Sequence, residues 1–163
     1  MSLLWKRFSQ VSVTGSLRLG KNATIDVENS DGSTSAGSLD STKVLTAVTT
    51  LRNADSGKTL ILNSATEFAV TLPAPKLGLR FKIIVSAAPV GTAYTVVTNG
   101  GANLIDGSAT VNGAVIAAAN EDTITFTASA ALSGDWVELN SDGTNWFVSG
   151  QATASTGIAF TAS

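Results

Sequence analysis

The residues Ser56-Gly57-Lys58-Thr59 have the types and the order found at the end of a phosphate-binding P-loop. A P-loop needs a further glycine five positions before Gly57, and that position holds Arg52. The amides of such a loop face the phosphate because a helix follows, whereas Thr59–Leu62 is a run of strand-forming residues. The sequence therefore predicts a tight turn into a β-strand here and no phosphate site.

Two acidic segments carry the carboxylates that Ca²⁺ prefers as ligands: residues 26–31 (DVENSD) and Glu121-Asp122. The first segment lacks the glycine at loop position six and the glutamate at position twelve that an EF-hand requires. We expect both segments to be solvated loop acids, with a looser site of carboxylates and carbonyls as the alternative. The prediction is that the protein binds no metal and no cofactor.

The residue types give little support for catalysis. The chain has no histidine and no cysteine, which excludes histidine-dependent hydrolase triads, histidine-ligated zinc and thiolate sites. Glycoside hydrolysis needs two opposed carboxyl groups. Glu138 lies near Trp136, but residues two apart on a strand share one face and commonly pack as a pair. We therefore predict that the protein is not an enzyme.

The aromatic residues allow two interpretations. Tyr94, Trp136, Trp146 and Phe147 could form a platform on which sugars stack, as on a receptor-binding fibre. Burying an aromatic side chain stabilises a fold by about 2–3 kcal/mol, so we expect some of them to belong to the core instead. In particular, we expect Trp136, Trp146 and Phe147 to hold the last hairpin of the chain in place through burial.

The composition indicates a globular protein with a weakly charged surface. Of the 163 residues 44% are hydrophobic and only 13% are charged, about half the usual share. Thr and Ser take the place of Lys and Glu, which suits stable packing against other protein. No segment approaches the roughly 18 apolar residues of a membrane span, and the first residues lack a signal-peptide pattern. We expect a soluble protein, made in a cytoplasm, that does not bind membranes.

Charge is distributed unevenly along the chain. All ten Lys and Arg lie at or before Lys82, and from Ile83 onward there are six acids and no base. The first 21 residues hold four bases and no acid. We hypothesise that this arm binds an acidic partner, although chance clustering is the alternative. The net charge of −2 argues against nucleic acid. The residues of this predicted partner-binding arm are the apolar anchors Trp5 and Phe8 and the bases Lys6, Arg7, Arg18 and Lys21.

Turn residues recur about every 8–12 residues, which is typical of an all-β sandwich or barrel. We predict an arm and linker at 1–50, a β-sandwich domain at 51–150 and a tail at 151–163. The predicted strands or strand segments are Ala23–Glu28, Lys43–Leu51, Thr59–Leu62, Phe68–Leu72, Arg80–Val85, Tyr94–Thr98, Asn103–Ile105, Thr110-Val111, Ala114–Ile116, Thr123–Thr127, Trp136–Leu139, Trp146–Ser149 and Ile158–Thr161.

The clearest pattern is GDWVELNSDGTNWFVSG, residues 134–150. Two strand-forming runs flank a turn in which Asp142-Gly143 tolerates positive φ, so the segment predicts a β-hairpin. With the upstream segments at 51–85 and 122–139, this SDGTxW hairpin resembles a small all-β domain of tailed-phage virion proteins, namely capsid decoration (cement) proteins, head fibres and some tail-fibre modules.

The resemblance implies a two-sheet sandwich of jelly-roll type with an extended N-terminal arm. It also implies a decoration protein, expected to be a homotrimer, that binds the major capsid protein on the outside of the icosahedral shell and reinforces it. The alternative is a host-recognition or adhesion module of a tail or head fibre, and a weaker one is a lyase or hydrolase attached to a tailspike. The chain is short and has no repeat, whereas fibres usually add long repetitive shafts, which favours decoration.

Overall fold

The structure, a computed structural model, describes residues 26–28, 34–36 and 42–162. Contacts divide the chain into two units, with the boundary between Ser38 and Leu39. In the first unit, strands β1 (Asp26–Glu28) and β2 (Thr34–Ala36) pair antiparallel. The six residues of the predicted arm, Trp5, Lys6, Arg7, Phe8, Arg18 and Lys21, lie outside the described residues.

The second unit contains twelve strands in two sheets. The larger sheet has the order β10-β9-β13-β12-β7-β5-β3, and the smaller one has the order β14-β11-β8-β6-β4. The strands are β3 (Thr42–Leu45), β4 (Thr49–Thr50), β5 (Thr59–Leu62), β6 (Ala69–Thr71), β7 (Arg80–Val85), β8 (Tyr94–Val97), β9 (Ile105–Val111), β10 (Ala114–Glu121), β11 (Thr123–Phe126), β12 (Trp136–Ser141), β13 (Trp146–Ala152) and β14 (Ile158–Thr161).

The prediction of an all-β, two-sheet sandwich is confirmed. Its connectivity is mixed: β3, β5 and β7 run parallel, as do β9 with β13 and β4, β6 and β8. These parallel pairs distinguish it from the antiparallel double Greek key of an eight-stranded jelly roll. From β3 to β8 successive strands alternate between the two sheets, so that each returns to its own sheet in the same direction, whereas β9 and β13 are brought together as neighbours of two separate hairpins, β9–β10 and β12–β13.

The sandwich is larger than the predicted 51–150 domain. The segment assigned to the linker supplies β3 to the larger sheet and β4 to the smaller one. The segment assigned to the tail supplies β14, which pairs with β11 over four residues. The sequence predicts strands at Lys43–Leu51 and Ile158–Thr161, but strands of only two to four residues do not show by themselves that they belong to the sandwich.

One hydrophobic core fills the space between the sheets. In most strands alternate residues are buried, as in β7 and β11, because successive side chains on a strand point to opposite faces. Two aromatic pairs lie in this core. The ring centroids of Phe81 and Trp146 are 5.7 Å apart, and those of Phe68 and Tyr94 are 5.2 Å apart.

The turns follow their sequence chemistry. Asn112 and Gly113 have φ of 49° and 78° and join β9 to β10 as a two-residue type I′ turn. Gly57, in the P-loop-like segment, has φ of 84° in a turn that leads directly into β5, as predicted. The described part of the chain contains no helix long and apolar enough to span a membrane.

Candidate interaction face

The larger sheet presents an outer face, formed by the side chains that point away from the smaller sheet. The strand register aligns one residue of each strand in a row that crosses the whole sheet. In order these are Val44, Ile61, Ile84, Trp136, Gln151, Thr110 and Val115. We call this set the cross-sheet row. Its first four members are large, apolar and exposed or half-buried, so the row forms an apolar stripe over four adjacent strands.

Charged residues lie next to this apolar stripe. The Lys82 ammonium lies 5.0 Å from the centre of the Trp136 ring, a cation–π contact, and Glu138 is opposite Lys82 in the register. These groups adjoin a shallow depression of about 200 Å³ lined by Gly57, Lys58, Thr59, Arg80, Phe81, Lys82 and Glu138. A surface of this kind can bind an acidic side chain of a partner and cover apolar area beside it.

Asp55 binds two lysines near the starts of β3 and β5, outside the outer face, since its partner Lys43 is in register with the buried Leu60. Its Oδ1 is 2.7 Å from the Lys58 ammonium and 3.4 Å from that of Lys43, and its Oδ2 accepts the Arg52 amide at 3.1 Å. Burial alone raises the pKa of this carboxyl. The hydrogen bonds from Lys58 and Arg52 and the charges of Lys43 and Lys58 outweigh burial, so the pKa of Asp55 lies below its ordinary value.

Asp55→Asn is expected to lower the free energy of unfolding at pH 7 by about 1–3 kcal/mol, because the amide keeps the shape but loses both ion pairs. The pKa of Asp55 is lower in the folded protein than in the unfolded chain. The ionised carboxylate therefore stabilises the folded protein fully at a pH above the pKa that Asp55 has in the unfolded chain. This stabilisation is lost as the pH falls through the pKa that Asp55 has in the folded protein. Urea unfolding should show the gap between wild type and variant narrowing as the pH falls below the ordinary range of an aspartate carboxyl. A gap that does not narrow as the pH is lowered would contradict this assignment.

Two further carboxylates, those of Asp135 and Glu67, accept hydrogen bonds from backbone amides. Asp135 is buried and binds the amides of Leu132 at 2.8 Å and Thr153 at 2.9 Å. The Glu67 carboxylate accepts a hydrogen bond from the Val90 amide at 2.6 Å. This bond is the main cause, with weaker hydrogen bonds, of a Glu67 pKa below its ordinary value. These carboxylates hold loops in place. No group of three or more Asp or Glu capable of holding a metal ion occurs among the described residues.

The outer face of the smaller sheet is different in character. Its register rows consist of hydroxyl and small apolar side chains, each partly buried or exposed: Thr50, Thr71, Val97, Thr123 and Thr161 in one row, and Ala69, Thr95, Thr125 and Ala159 in the other. Neither row contains a charge. This second face can form hydrogen bonds with other protein but offers no charged anchor.

The five predicted hairpin residues lie together on β12, β13 and their turn, with different environments. Trp146 is fully buried, and Trp136 is half-buried on the outer face. The prediction that Phe147 is buried is wrong: it is 44% exposed, because it follows Trp146 and so points to the opposite face of the strand. Asp142 accepts the amides of Thr144 and Asn145, which lowers its pKa, and Gly143 has φ of 103°.

The sequence prediction missed the residues that form the rest of the outer face, namely Val44, Ile61, Lys82 and Ile84. Their strands were predicted, but their alignment depends on parallel pairing with partners that are distant along the chain. In the comparisons with known proteins, no protein-family model, no curated protein and no solved structure matched this chain.

Proposed function

We propose that the protein is a capsid decoration protein of a tailed phage, which binds the major capsid protein on the outside of the shell as a homotrimer and stabilises it. The observation that carries a docking role is the apolar stripe Val44–Ile61–Ile84–Trp136 beside Lys82 and Glu138. It combines apolar area with charged neighbours on one sheet face, as protein interfaces do. The virion location rests on the resemblance of the 134–150 hairpin.

The mechanism is stabilisation by preferential binding. A ligand that binds only the assembled shell stabilises that state in proportion to its occupancy, and a trimer that bridges several subunits gains further through its effective concentration. In this proposal the N-terminal arm adds a second attachment. Trp5 and Phe8 act as apolar anchors, and Lys6, Arg7, Arg18 and Lys21 meet acidic groups of the shell.

Counting copies in purified virions tests the location. Hundreds of copies per particle are expected for a decoration protein, whereas tens or fewer would move the protein to the tail. Deleting residues 2–21 should leave the sandwich folded but reduce its binding to undecorated shells.

The docking face is tested by charge reversal. Lys82→Glu reverses the charge beside the apolar stripe and also breaks the cation–π contact with Trp136. It should therefore lower the affinity for undecorated shells, measured by co-sedimentation, by about tenfold, or about 1.4 kcal/mol. Lys76→Glu is the matched control, since it reverses the charge of an exposed loop lysine outside the face. Equal binding of the two variants would contradict a docking role for the outer face.

One observation favours adhesion as a second candidate function. Trp136 and Phe147 lie on the same face of adjacent strands, and Phe147 is 44% exposed. Exposed aromatic rings next to polar groups can stack on sugars. Under this alternative, Phe147→Ala would abolish glycan or cell binding while leaving co-sedimentation with shells unchanged.

A further inference from the structure

The strand β10 forms an edge of the larger sheet and contacts β14, the edge strand of the smaller sheet, but its outer side carries few of the features that usually block pairing. Its first six residues, AVIAAA, carry no charge and no proline, and Val115 is 72% exposed. Five of its eight residues are exposed, on both faces of the strand, and no described strand pairs with its outer side. An uncharged apolar edge of this length is a template for pairing with another strand.

The usable part of this edge ends at a bulge. The register with β9 shifts between Ala118 and Glu121, and Asn120 has φ of 58°. Bulges interrupt strand pairing, which leaves Ala114–Ala118 as the segment able to accept a partner. The opposite edge of the sheet is β3, which is four residues long and has no described strand on its outer side. Within the part of the chain that the structure describes, the two edges without a neighbouring strand therefore match closely in length.

The two edges also match in direction and register. The successive strand pairings across the larger sheet show that β10 runs antiparallel to β3. If two copies in the same orientation joined β10 to β3, these two strands would therefore form an antiparallel ladder. The cross-sheet row begins at Val44 on β3 and ends at Val115 on β10. Placing Val115 of one copy opposite Val44 of the next continues this row and puts Ala117 opposite Thr42.

Charged residues are distributed unevenly between the two edges of the larger sheet. Lys43, Lys58 and Lys82 lie on or immediately before β3, β5 and β7 and outnumber Asp55, the acid that binds Lys43 and Lys58, whereas the strands from β12 to β10 contain no base. Asp106 on β9 and Glu121 at the end of β10 make that side acidic. Two copies meeting β10 to β10 would bring acidic sides together, whereas β10 to β3 brings an acidic side to a basic one.

From these features we infer that β10 of one copy pairs with β3 of a second copy, head to tail. A heterologous contact of this kind closes into a ring when its rotation permits. The inference rests on the self-association in the proposed function and gives it a specific interface. It concerns the purified protein, so its failure in solution would leave the virion copy number, and with it the proposed location, untouched.

Sedimentation of single variants tests the interface. Wild type is expected to sediment as an oligomer at micromolar concentration, and Val115→Asp and Val44→Asp as 16.5 kDa monomers with unchanged circular dichroism. Val90→Asp is the matched control, because Val90 is 74% exposed but lies in a loop outside both edges, and it should remain oligomeric. Ala117→Lys provides a second β10 variant in case Val115→Asp does not fold.

Mixing the two edge variants tests the head-to-tail arrangement. Val44→Asp retains an intact β10 and Val115→Asp an intact β3, so an equimolar mixture should form a heterodimer of twice the monomer mass. A monomeric wild type, or a Val115→Asp protein that assembles like wild type, would overturn the inference. So would a Val44→Asp protein that stays assembled on its own, because that result indicates β10-to-β10 pairing.

Discussion

Replacing Trp146 with alanine is expected to lower the free energy of unfolding by about 3–5 kcal/mol, a large share of the roughly 5–15 kcal/mol of an ordinary domain. Trp146 has no exposed surface and is the largest fully buried side chain, packed against Phe81 with ring centres 5.7 Å apart. It also lies in register with Ser141 of β12 and Ile105 of β9. Its removal leaves a cavity where three strands meet, and urea unfolding followed by circular dichroism measures the loss.

Two further variants test whether the loss of stability comes from removing a buried ring. Phe147→Ala changes the next residue, also aromatic but 44% exposed, and should cost less than about 1 kcal/mol. Trp146→Phe should cost much less than Trp146→Ala, because the indole Nε1 of Trp146 is buried without a hydrogen-bond partner among the described residues. Equal losses for Trp146→Ala and Phe147→Ala would contradict the packing described for this hairpin.

The local parts of the fold were predictable from the sequence because their determinants are local. Thr59–Leu62, Arg80–Val85 and Ile158–Thr161 were predicted with their observed bounds, since β-branched and aromatic residues cluster there between turn residues. The Asn112-Gly113 turn followed from the φ > 0 preference of that pair. The spacing of such runs indicated a sandwich or a barrel, and the two-sheet form was implied by the resemblance of the 134–150 hairpin.

The pairing of the strands was not predictable in the same way. β3 to β5 and β5 to β7 are parallel pairs whose members are separated by a strand of the other sheet, and nothing local specifies them. The cross-sheet row exists only through that register. The sequence could therefore supply Trp136 as a candidate interaction residue, but not Ile84 and Ile61 as its neighbours.

The burial of Phe147 was mispredicted for a simpler reason. Trp146 and Phe147 are adjacent, and adjacent residues on a strand point to opposite faces, so the two could not both enter the core. The alternation predicts one buried and one exposed aromatic ring, and Val148 on the buried side identifies which. The exposed ring then joins Trp136 on the outer face, where both proposed functions require partner contacts.

The parallel contact between β9 and β13 depends on a glycine, and Gly107→Ala is expected to cost about 3 kcal/mol or more. Gly107 has φ of 130°, and a Cβ built there would lie 2.2 Å from the backbone oxygen of Val148. Because that oxygen belongs to the neighbouring strand, it can move away only if the strand moves. The substitution therefore combines an unfavourable backbone conformation with a steric clash in the middle of the larger sheet.

Two other glycines separate these contributions. Gly113 has φ of 78°, and a Cβ added there would have no neighbour within 4 Å, so Gly113→Ala should show only the cost of the backbone conformation, about 1–2 kcal/mol. Gly91 has neither a positive φ nor a close neighbour, so Gly91→Ala should change stability by less than about 0.5 kcal/mol. Thermal and urea unfolding of the three variants should rank them in this order. If Gly107→Ala were no less stable than Gly113→Ala, the close approach of β9 to β13 would not constrain the sheet.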